Sequence, residues 1–480
     1  MGQPTYLLII CAVVWGIAVF YFLYAFCGAV HSRLHFGLGA DLFSTSWISP
    51  NWTIDISDPE WSALRVVAEF YFLAILIQNL FLHCSPTLVH SRLRCLVSLA
   101  FLTITFGSVC SALTLSIFGL TWIVSRFRKK CLVYTVNLLL VYLVVYKRGL
   151  LRVLNAPLPE NDHIVLMFDI TVSWSCLRAI SLGLAFIDGD VNAMSAFCYY
   201  LYLPSLCAGP LINCKDFTRQ LNSSTLPSRA EACKLTGITA VRLVAWVSLI
   251  ELMDHTLFTS ATVYDYKNIR HHMSVTEYVG LTFAMMGRFY LKYVIIYGAG
   301  EGTAGLEGIW LPERPRCTLR MTSGAQVWRT FDRGLYLWFV EYLYVPLGGG
   351  LLASAICFVF ACFWHASSSP IQVWAAMNCV LVVIERFCAR SLPPTIWIIV
   401  QVPLHWLAIG SNMFYLGDHD IGSDFFSHLT SSPLVMASAF LLSLCACVVG
   451  RYFEEIDRRL YMPRRSQRAR QPAASSTYYK

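Results

Sequence analysis

Long runs of uncharged or nearly uncharged, mostly apolar residues recur from one end of this chain to the other. A helix needs about 20 consecutive apolar residues to cross a bilayer. Several runs approach or exceed that length, and the shorter ones predict tilted helices, buried helices or re-entrant segments. The pattern therefore predicts a polytopic all-α membrane protein. The runs occupy residues 6–30, 66–83, 95–125, 131–146, 163–187, 194–212, 236–264, 279–299, 335–347, 351–364, 371–384, 394–416 and 433–449.

The composition agrees with this class and limits the number of domains. Hydrophobic residues make up 57% of the chain and charged residues 13%, whereas soluble domains carry about 25% charged residues. The polar stretches between the runs are loop-sized, so we expect residues 1–462 to form a single membrane-embedded domain. Residues 463–480 are basic and have little to bury, which predicts a disordered cytosolic tail.

The net charge of +8 comes from basic clusters that lie beside apolar runs. These clusters occupy residues 126–130, 147–152 and 464–470. Basic residues next to spans favour the cytosolic side, so both termini are predicted to be cytosolic. A nucleic-acid partner is not indicated. The 18 cysteines show no CxxC pair, so most are expected to be buried small side chains.

A histidine between two uncharged runs is the strongest single indication of chemistry. His365 follows the run 351–364 and precedes the run 371–384. Burial disfavours the charged form of histidine, so a neutral imidazole that can accept a proton is expected. An ionisable group at membrane depth is a candidate functional residue. The alternative is a histidine hydrogen-bonded to the backbone of a neighbouring helix.

The stretch 314–350 contains a cluster of arginines and is also informative about function. Arg316, Arg320, Arg329 and Arg333 lie near one membrane entry point. Guanidinium groups suit phosphates, so an anion such as the phosphates of coenzyme A could be received here. The alternative is that these arginines only follow the cytosolic bias of basic residues.

Four segments resemble, in order, the membrane-bound O-acyltransferase family: WRTFD at 328–332, YLYVPLGG at 342–349, FWH at 363–365 and WAAMN at 374–378. In that family an Asn or Asp precedes a histidine that follows an aromatic residue, which fits Asp332 and His365. The Asp resembles the branch that acylates Hedgehog-type secreted proteins. One departure is Ala366, where glycine is usual after the histidine. The same branch is resembled by DPEWS at 58–62, Gly209-Pro210, Pro315-Arg316-Cys317 and GSNMF at 410–414.

The resemblance implies a helical bundle of about ten spans, with re-entrant segments and a central tunnel. It implies palmitoyl-CoA as co-substrate and, as acceptor, the N-terminal Cys amine of a Hedgehog-type secreted protein. The location it implies is the membrane of the endoplasmic reticulum, or the Golgi, with membrane lipids around the protein. The resemblance implies catalytic roles for His365 and Asp332. The acyl-CoA or tunnel residues it implies are Trp328, Arg329, Arg333, Trp364, Asn378 and Asn412.

The resemblance also makes Cys317 a candidate thiolate ligand of a haem b, a ligation known for haem iron. Its sequence context is distinct, because it lies in a polar, proline-rich loop between arginines rather than inside an apolar run. A plain loop cysteine is the alternative.

In this chemistry an amine attacks a thioester, and His365 accepts the proton of the attacking nitrogen and returns one to the thiolate. Asp332 is far from His365 along the chain, so we expect it to organise the cytosolic mouth with Arg329 and Arg333, or to position the acyl donor. Two rival functions remain: a lipid or sterol O-acyltransferase of the same fold, and a transporter or scaffold without enzymatic activity.

Overall fold

A computed structural model describes residues 5–146, 159–223 and 225–469 of the chain. Within these ranges regular structure is helical, apart from one antiparallel hairpin of Phe43–Thr45 (β1) and Thr53–Asp55 (β2). In the hairpin, Phe43 is opposite Asp55 and Thr45 is opposite Thr53.

The α-helices in chain order are α1 (Thr5–Ser32), α2 (Pro59–Cys84), α3 (His90–Phe106), α4 (Ser108–Ser125), α5 (Lys130–Tyr146), α6 (Asp162–Asp188), α7 (Ala193–Tyr200), α8 (Cys214–Ser223), α9 (Arg229–Thr256), α10 (Thr259–Tyr264), α11 (Tyr266–Ile269), α12 (Val275–Gly305), α13 (Gly324–Thr330), α14 (Arg333–Phe339), α15 (Gly350–Trp364), α16 (Ser369–Ser391), α17 (Pro394–Leu416), α18 (His419–Leu429) and α19 (Pro433–Ala469). A π-helix, Val340–Tyr344, continues α14.

Nine helices in the described ranges are long and apolar enough to cross a membrane. Two shorter apolar helices, α5 and α15, accompany them. This architecture confirms the prediction of a polytopic all-α membrane protein. The nine helices are α1, α2, α4, α6, α9, α12, α16, α17 and α19.

Two of the apolar runs are each divided into two helices. The run 95–125 breaks at Gly107, whose φ of 88° is a conformation that glycine adopts most readily. The run 236–264 breaks after Thr256, and Phe258, with a φ of 44°, precedes the short helix α10. Apolar residues lie on both sides of Gly107, whereas Asp254 and His255 directly precede the second break.

The segment between α6 and α9 enters the bundle and returns to the side from which it came. Lys215, at the start of α8, pairs with Asp188, the last residue of α6, at 3.3 Å. The irregular backbone in between is satisfied by α6, because the buried Arg178 donates to the carbonyls of Ser205 at 2.5 Å and Leu206 at 2.6 Å. Non-helical backbone at membrane depth is tolerated when protein surrounds it.

The two ends of the described chain lie at the same side of the bundle. Cys11 of α1 packs in one cluster with Val448 and Val449 of α19. Helix α19 continues to Ala469, so the part of the predicted tail that is described is helical rather than disordered. The rest of the tail, 470–480, lies outside the described residues.

Helix α5 begins beside the basic cluster at 126–130. At one end Lys130 pairs with Asp188 at 3.2 Å, and at the other Tyr146 donates to Ser367 Oγ at 2.7 Å. The predicted cytosolic cluster at 147–152 lies outside the described residues. The residue before it, Tyr146, is at the opposite end of α5 from the 126–130 cluster.

Candidate active site

His365 is held at the C-terminal cap of α15. The backbone N–H of Ala366 donates to Phe363 O at 3.2 Å, and that of Ser367 donates to Cys362 O at 3.0 Å. This pair of bonds is a Schellman motif, in which the residue after the cap is left-handed and usually glycine. Ala366 has a φ of 70°. Ala366 therefore replaces the usual glycine at a position where glycine would relieve backbone strain.

The imidazole of His365 lies between two aromatic rings. Trp374 and Tyr415 meet it edge to face, with ring centroids 5.6 Å and 5.1 Å away. The Tyr415 hydroxyl oxygen lies 3.5 Å from Nδ1. His365 follows the end of α15 and is outside the spanning helices, and burial lowers its pKa to about 4. The ring is therefore neutral at physiological pH, as expected from the sequence.

His365 and Asp332 line the same cavity, which has a volume of about 680 Å³. Ligand pockets in proteins commonly measure about 300–1,000 Å³. The sequence motifs assign catalytic roles to both residues. Asp332 was expected either to organise the cytosolic mouth with Arg329 and Arg333 or to position the acyl donor. The residues that line this cavity come from both halves of the chain. The other predicted tunnel residues that line this cavity are Trp328, Trp364, Asn378 and Asn412.

Asp332 is fixed by the start of α14. Its Oδ1 accepts the backbone N–H of Leu335 at 2.9 Å, and its Oδ2 accepts the Tyr297 hydroxyl at 2.6 Å. Burial raises the pKa of Asp332 above its usual range, although both donors favour the ionised form. The helix begins close to the re-entrant segment, since a Cβ at Gly334 would lie 2.3 Å from Leu211 O.

Trp328 and Asn378 form a hydrogen-bonded pair on the cavity wall. Trp328 Nε1 donates to Asn378 Oδ1 at 3.0 Å, and Asn378 Nδ2 donates to Ser411 Oγ at 3.1 Å. Glu385 of α16 holds the helix that carries Trp328, because it accepts two backbone N–H groups at the start of α13, each at 2.8 Å. Helix α16 thus positions one wall of the cavity.

Three residues named from the sequence lie away from this cavity. Arg329 donates to Ala325 O at 2.9 Å, and Arg333 stacks over the Tyr336 ring at 5.2 Å. Neither arginine is among the residues that line the cavity. Cys317 is partly buried and lines neither this cavity nor the larger one described below.

Sequence reasoning missed two further carboxylates on the cavity wall, Glu60 and Asp169. Together with Asp332 they make three, and none of the described residues that line the cavity is a lysine or arginine. A signal for Asp169 was present, because an acidic residue inside an apolar run is a functional candidate. Glu60 follows the acidic end of the first loop, where a solvated surface charge is the ordinary interpretation.

Two tyrosines of α12 hold the carboxylates on one wall. Tyr293 donates to Glu60 Oε1 at 3.2 Å, and Tyr297, one turn further along, donates to Asp332 Oδ2 at 2.6 Å. The two rings are 5.6 Å apart. No sequence signal marks these tyrosines, because aromatic residues are common in apolar runs.

A larger cavity of about 1200 Å³ lies between α2 and α9. Leu64 and Tyr71 of α2 face Leu243 and Val247 of α9 across it. None of the site residues predicted from the sequence lines it. The predicted chemistry therefore belongs to the smaller cavity.

The described residues thus define a multi-pass helical membrane protein with a neutral imidazole and several carboxylates in one internal cavity. Residues 183–416 match the model of MBOAT, the membrane-bound O-acyltransferase family. The chain carries a domain of that family. This agrees with the resemblance seen in the sequence motifs.

Curated relatives fall into two groups. The chain is 30% identical over 253 residues to the protein-cysteine N-palmitoyltransferase HHAT of Mus musculus, covering 48% of this chain and 50% of that protein. It is 24% identical over 310 residues to the protein-cysteine N-palmitoyltransferase Rasp of Drosophila melanogaster, covering 58% of this chain and 60% of that protein. It is 26% identical over 233 residues to the membrane-bound O-acyltransferase gup1 of Schizosaccharomyces pombe, covering 48% of this chain and 37% of that protein. The matches thus span about half the length of the first two relatives.

Proposed function

We propose that this protein transfers a fatty acyl group, palmitoyl in the first instance, from acyl-CoA to the N-terminal amine of a secreted protein that begins with Cys. The Hedgehog-type proteins implied by the sequence motifs are the expected acceptors. The observation that carries the proposal is the single cavity lined by neutral His365 and by three carboxylates. The names of the mouse and fly relatives support the same chemistry.

The reaction forms one C–N bond and breaks one C–S bond. The neutral amine attacks the thioester carbonyl, and its nitrogen becomes strongly acidic in the tetrahedral intermediate. His365 accepts that proton and gives it to the departing thiolate, so the products are an amide and the free thiol of coenzyme A. An α-amine with a pKa near 7.7–8.0 is roughly a tenth neutral at pH 7. A strong base is therefore unnecessary.

Asp332 is proposed to fix the geometry around the reacting carbonyl. Its hydrogen bonds to Tyr297 and to the start of α14 leave it a rigid part of the cavity wall. Trp328 and Trp364 supply apolar surface for the acyl chain, and Asn378 and Asn412 supply polar groups on the same wall. Arg329 and Arg333 lie outside the cavity lining, where they remain candidates for the phosphates of coenzyme A.

Haem binding by Cys317 remains a prediction from the sequence motifs, and no step of the reaction depends on it. Among the described residues, no group of three or more His, Cys, Asp or Glu side chains could hold a metal ion, but a haem needs only one protein ligand on its iron. Purified protein should show Soret absorption that disappears in Cys317→Ala. Protein without such absorption contradicts haem binding.

The alternative of O-acyl transfer, to a lipid or sterol, is supported by the name of the yeast relative only as far as the word O-acyltransferase. A hydroxyl is far less acidic than an ammonium, so that reaction needs a stronger base than a histidine of lowered pKa. The deciding experiment incubates purified protein with palmitoyl-CoA and either an N-terminal Cys peptide or a lipid alcohol. Acylated peptide is the expected product. Acylated lipid with unmodified peptide contradicts the proposal.

A further inference from the structure

A line of alternating charges runs through the bundle and ends at the cavity. Asp254 contacts Arg288 at 2.6 Å, and Asp58 contacts both Arg288, at 2.5 Å, and Lys292, at 3.0 Å. Lys292 in turn contacts Glu60 at 2.6 Å. Glu60 is the one member of this line that faces the cavity.

The line contains three carboxylates and two cations. Burial alone would raise the pKa of Asp58, but the adjacent charges of Lys292 and Arg288 lower it below its ordinary value. By formal charge, Asp58 and Asp254 balance the two cations that they contact. One negative charge of the line is then left unbalanced. Glu60 is the last residue of the line, at the cavity.

An uncompensated charge is costly where water is scarce. The Glu60 side chain keeps 26% of its surface exposed, whereas the Lys292 side chain keeps 9%. Glu60 can therefore still receive a partner from the cavity, while Lys292 is almost enclosed. A cation placed next to Glu60 would continue the alternation and bring the net charge of the line to zero.

We propose that Glu60 binds the protonated α-amine of the acceptor chain as it enters the cavity. This assignment rests on the proposed function and names the group that selects its acceptor. A neutral hydroxyl gains little from such a site, and an anionic phosphate is repelled by it. The bound ammonium releases its proton to water, and the neutral amine then attacks the thioester. Glu60 makes and breaks no covalent bond.

The test measures binding of a fluorescent peptide with a free N-terminal Cys to the full-length protein in nanodiscs, without acyl-CoA. Glu60→Gln removes the charge and keeps the shape of the side chain. Glu301→Gln is the matched control, because Glu301 is also partly exposed, pairs with Arg314 at 2.8 Å and lines neither cavity. A hydrogen bond to a charged group contributes about 1.5–3 kcal/mol. Glu60→Gln should therefore weaken binding roughly tenfold or more, and Glu301→Gln should not.

A second measurement uses the unaltered protein, so it does not depend on how the variant folds. Its affinity for the free-amine peptide should fall as the pH rises past the amine pKa near 7.7–8.0. Its affinity for the N-acetylated peptide should be weak and independent of pH in that range. Glu60→Gln should remove the pH dependence.

The outcomes separate this inference from the proposed function. If the peptide is acylated but the affinity and its pH dependence are the same in Glu60→Gln as in the unaltered protein, the role of Glu60 is wrong and the proposed function stands. If the unaltered protein neither binds nor acylates the free-amine peptide, both are wrong.

Discussion

At the scale of single residues, the reaction depends on one imidazole that carries a proton. His365→Ala should lower the rate of acyl transfer by about 10²–10⁴-fold, the usual contribution of a general acid–base group. Folding should be retained, since among the described residues the ring's aromatic and hydrogen-bond partners are Trp374 and Tyr415, at the wall of a cavity. Single-turnover rates and elution of the purified variant check this. His405→Ala, at a buried histidine that lines neither cavity, is the control and should keep its rate. A normal rate in His365→Ala contradicts the assignment.

The lowered pKa of His365 also fixes the shape of the pH profile. A histidine pKa of about 4 means that the base form is complete above pH 5 and is lost only as the pH falls toward 4. Between pH 5 and 7 the logarithm of kcat/KM should rise with a slope of one, because only the amine of the acceptor loses a proton in that range. A slope of two below about pH 6.5, the ordinary histidine pKa, would show that His365 titrates normally.

Asp332 combines a structural and a chemical role, and two substitutions separate them. Asparagine caps a helix about as well as aspartate, whereas alanine costs about 1 kcal/mol. Asp332→Asn should keep the melting temperature, because its Oδ1 can still cap the helix, and lower the transfer rate, because the amide N–H2 group that replaces Oδ2 cannot accept the Tyr297 hydroxyl. Asp332→Ala should lower both the rate and the melting temperature. An unchanged rate in Asp332→Asn would show that only the cap matters.

At the scale of single elements, the cap of α15 carries strain that a substitution can relieve. A non-glycine residue in the left-handed region costs about 1–2 kcal/mol, and Ala366 is in that region. Ala366→Gly should therefore raise the stability by about 1 kcal/mol and keep His365 in place and active. Ala353→Gly, in the interior of the same helix, should lower stability by a similar amount. Melting temperatures of both variants test this, and a lower value for Ala366→Gly contradicts the description of the cap.

The sequence predicts the elements more completely than it predicts the site. Uncharged runs predict nearly every spanning helix, because crossing a bilayer requires continuous apolar length. They do not predict the break at Gly107, since apolar residues continue on both sides of it. Pro204 and Gly209-Pro210 interrupt an apolar run, which leaves a broken helix and a helix end as alternatives, and no sequence signal marks the buried Arg178 that satisfies the backbone there.

The site was predicted only in part, for a physical reason. His365 stands out as an imidazole between two apolar runs, and Asp332 was identified through the family resemblance. Glu60 and Tyr297 acquire their roles only through contacts between helices that are distant along the chain. Arg329 was expected at the site because guanidinium groups suit phosphates, yet its side chain bonds to the backbone of its own helix. Which face of a short helix turns inward is decided by packing, and the residue types alone do not encode it.

At the scale of the whole molecule, the two ends of the chain should lie on one side of the membrane. The packing of Cys11 against Val448 and Val449 supports this directly, and the basic residues at 126–130 and 464–470 favour the cytosol. In sealed microsomes, protease should remove tags from both termini. Protection of one tag contradicts the shared side, and protection of both reverses the orientation.

The central claim is that the protein forms an amide bond. A cavity lined by His365 and three carboxylates suits an amine acceptor. The most direct measurement reconstitutes the protein with labelled palmitoyl-CoA and an N-terminal Cys peptide, and then treats the product with neutral hydroxylamine. Hydroxylamine cleaves thioesters readily and amides hardly at all. The expected result is a hydroxylamine-resistant label on the free-amine peptide and no label on its N-acetylated form. Equal labelling of the acetylated peptide, or complete release by hydroxylamine, contradicts the account.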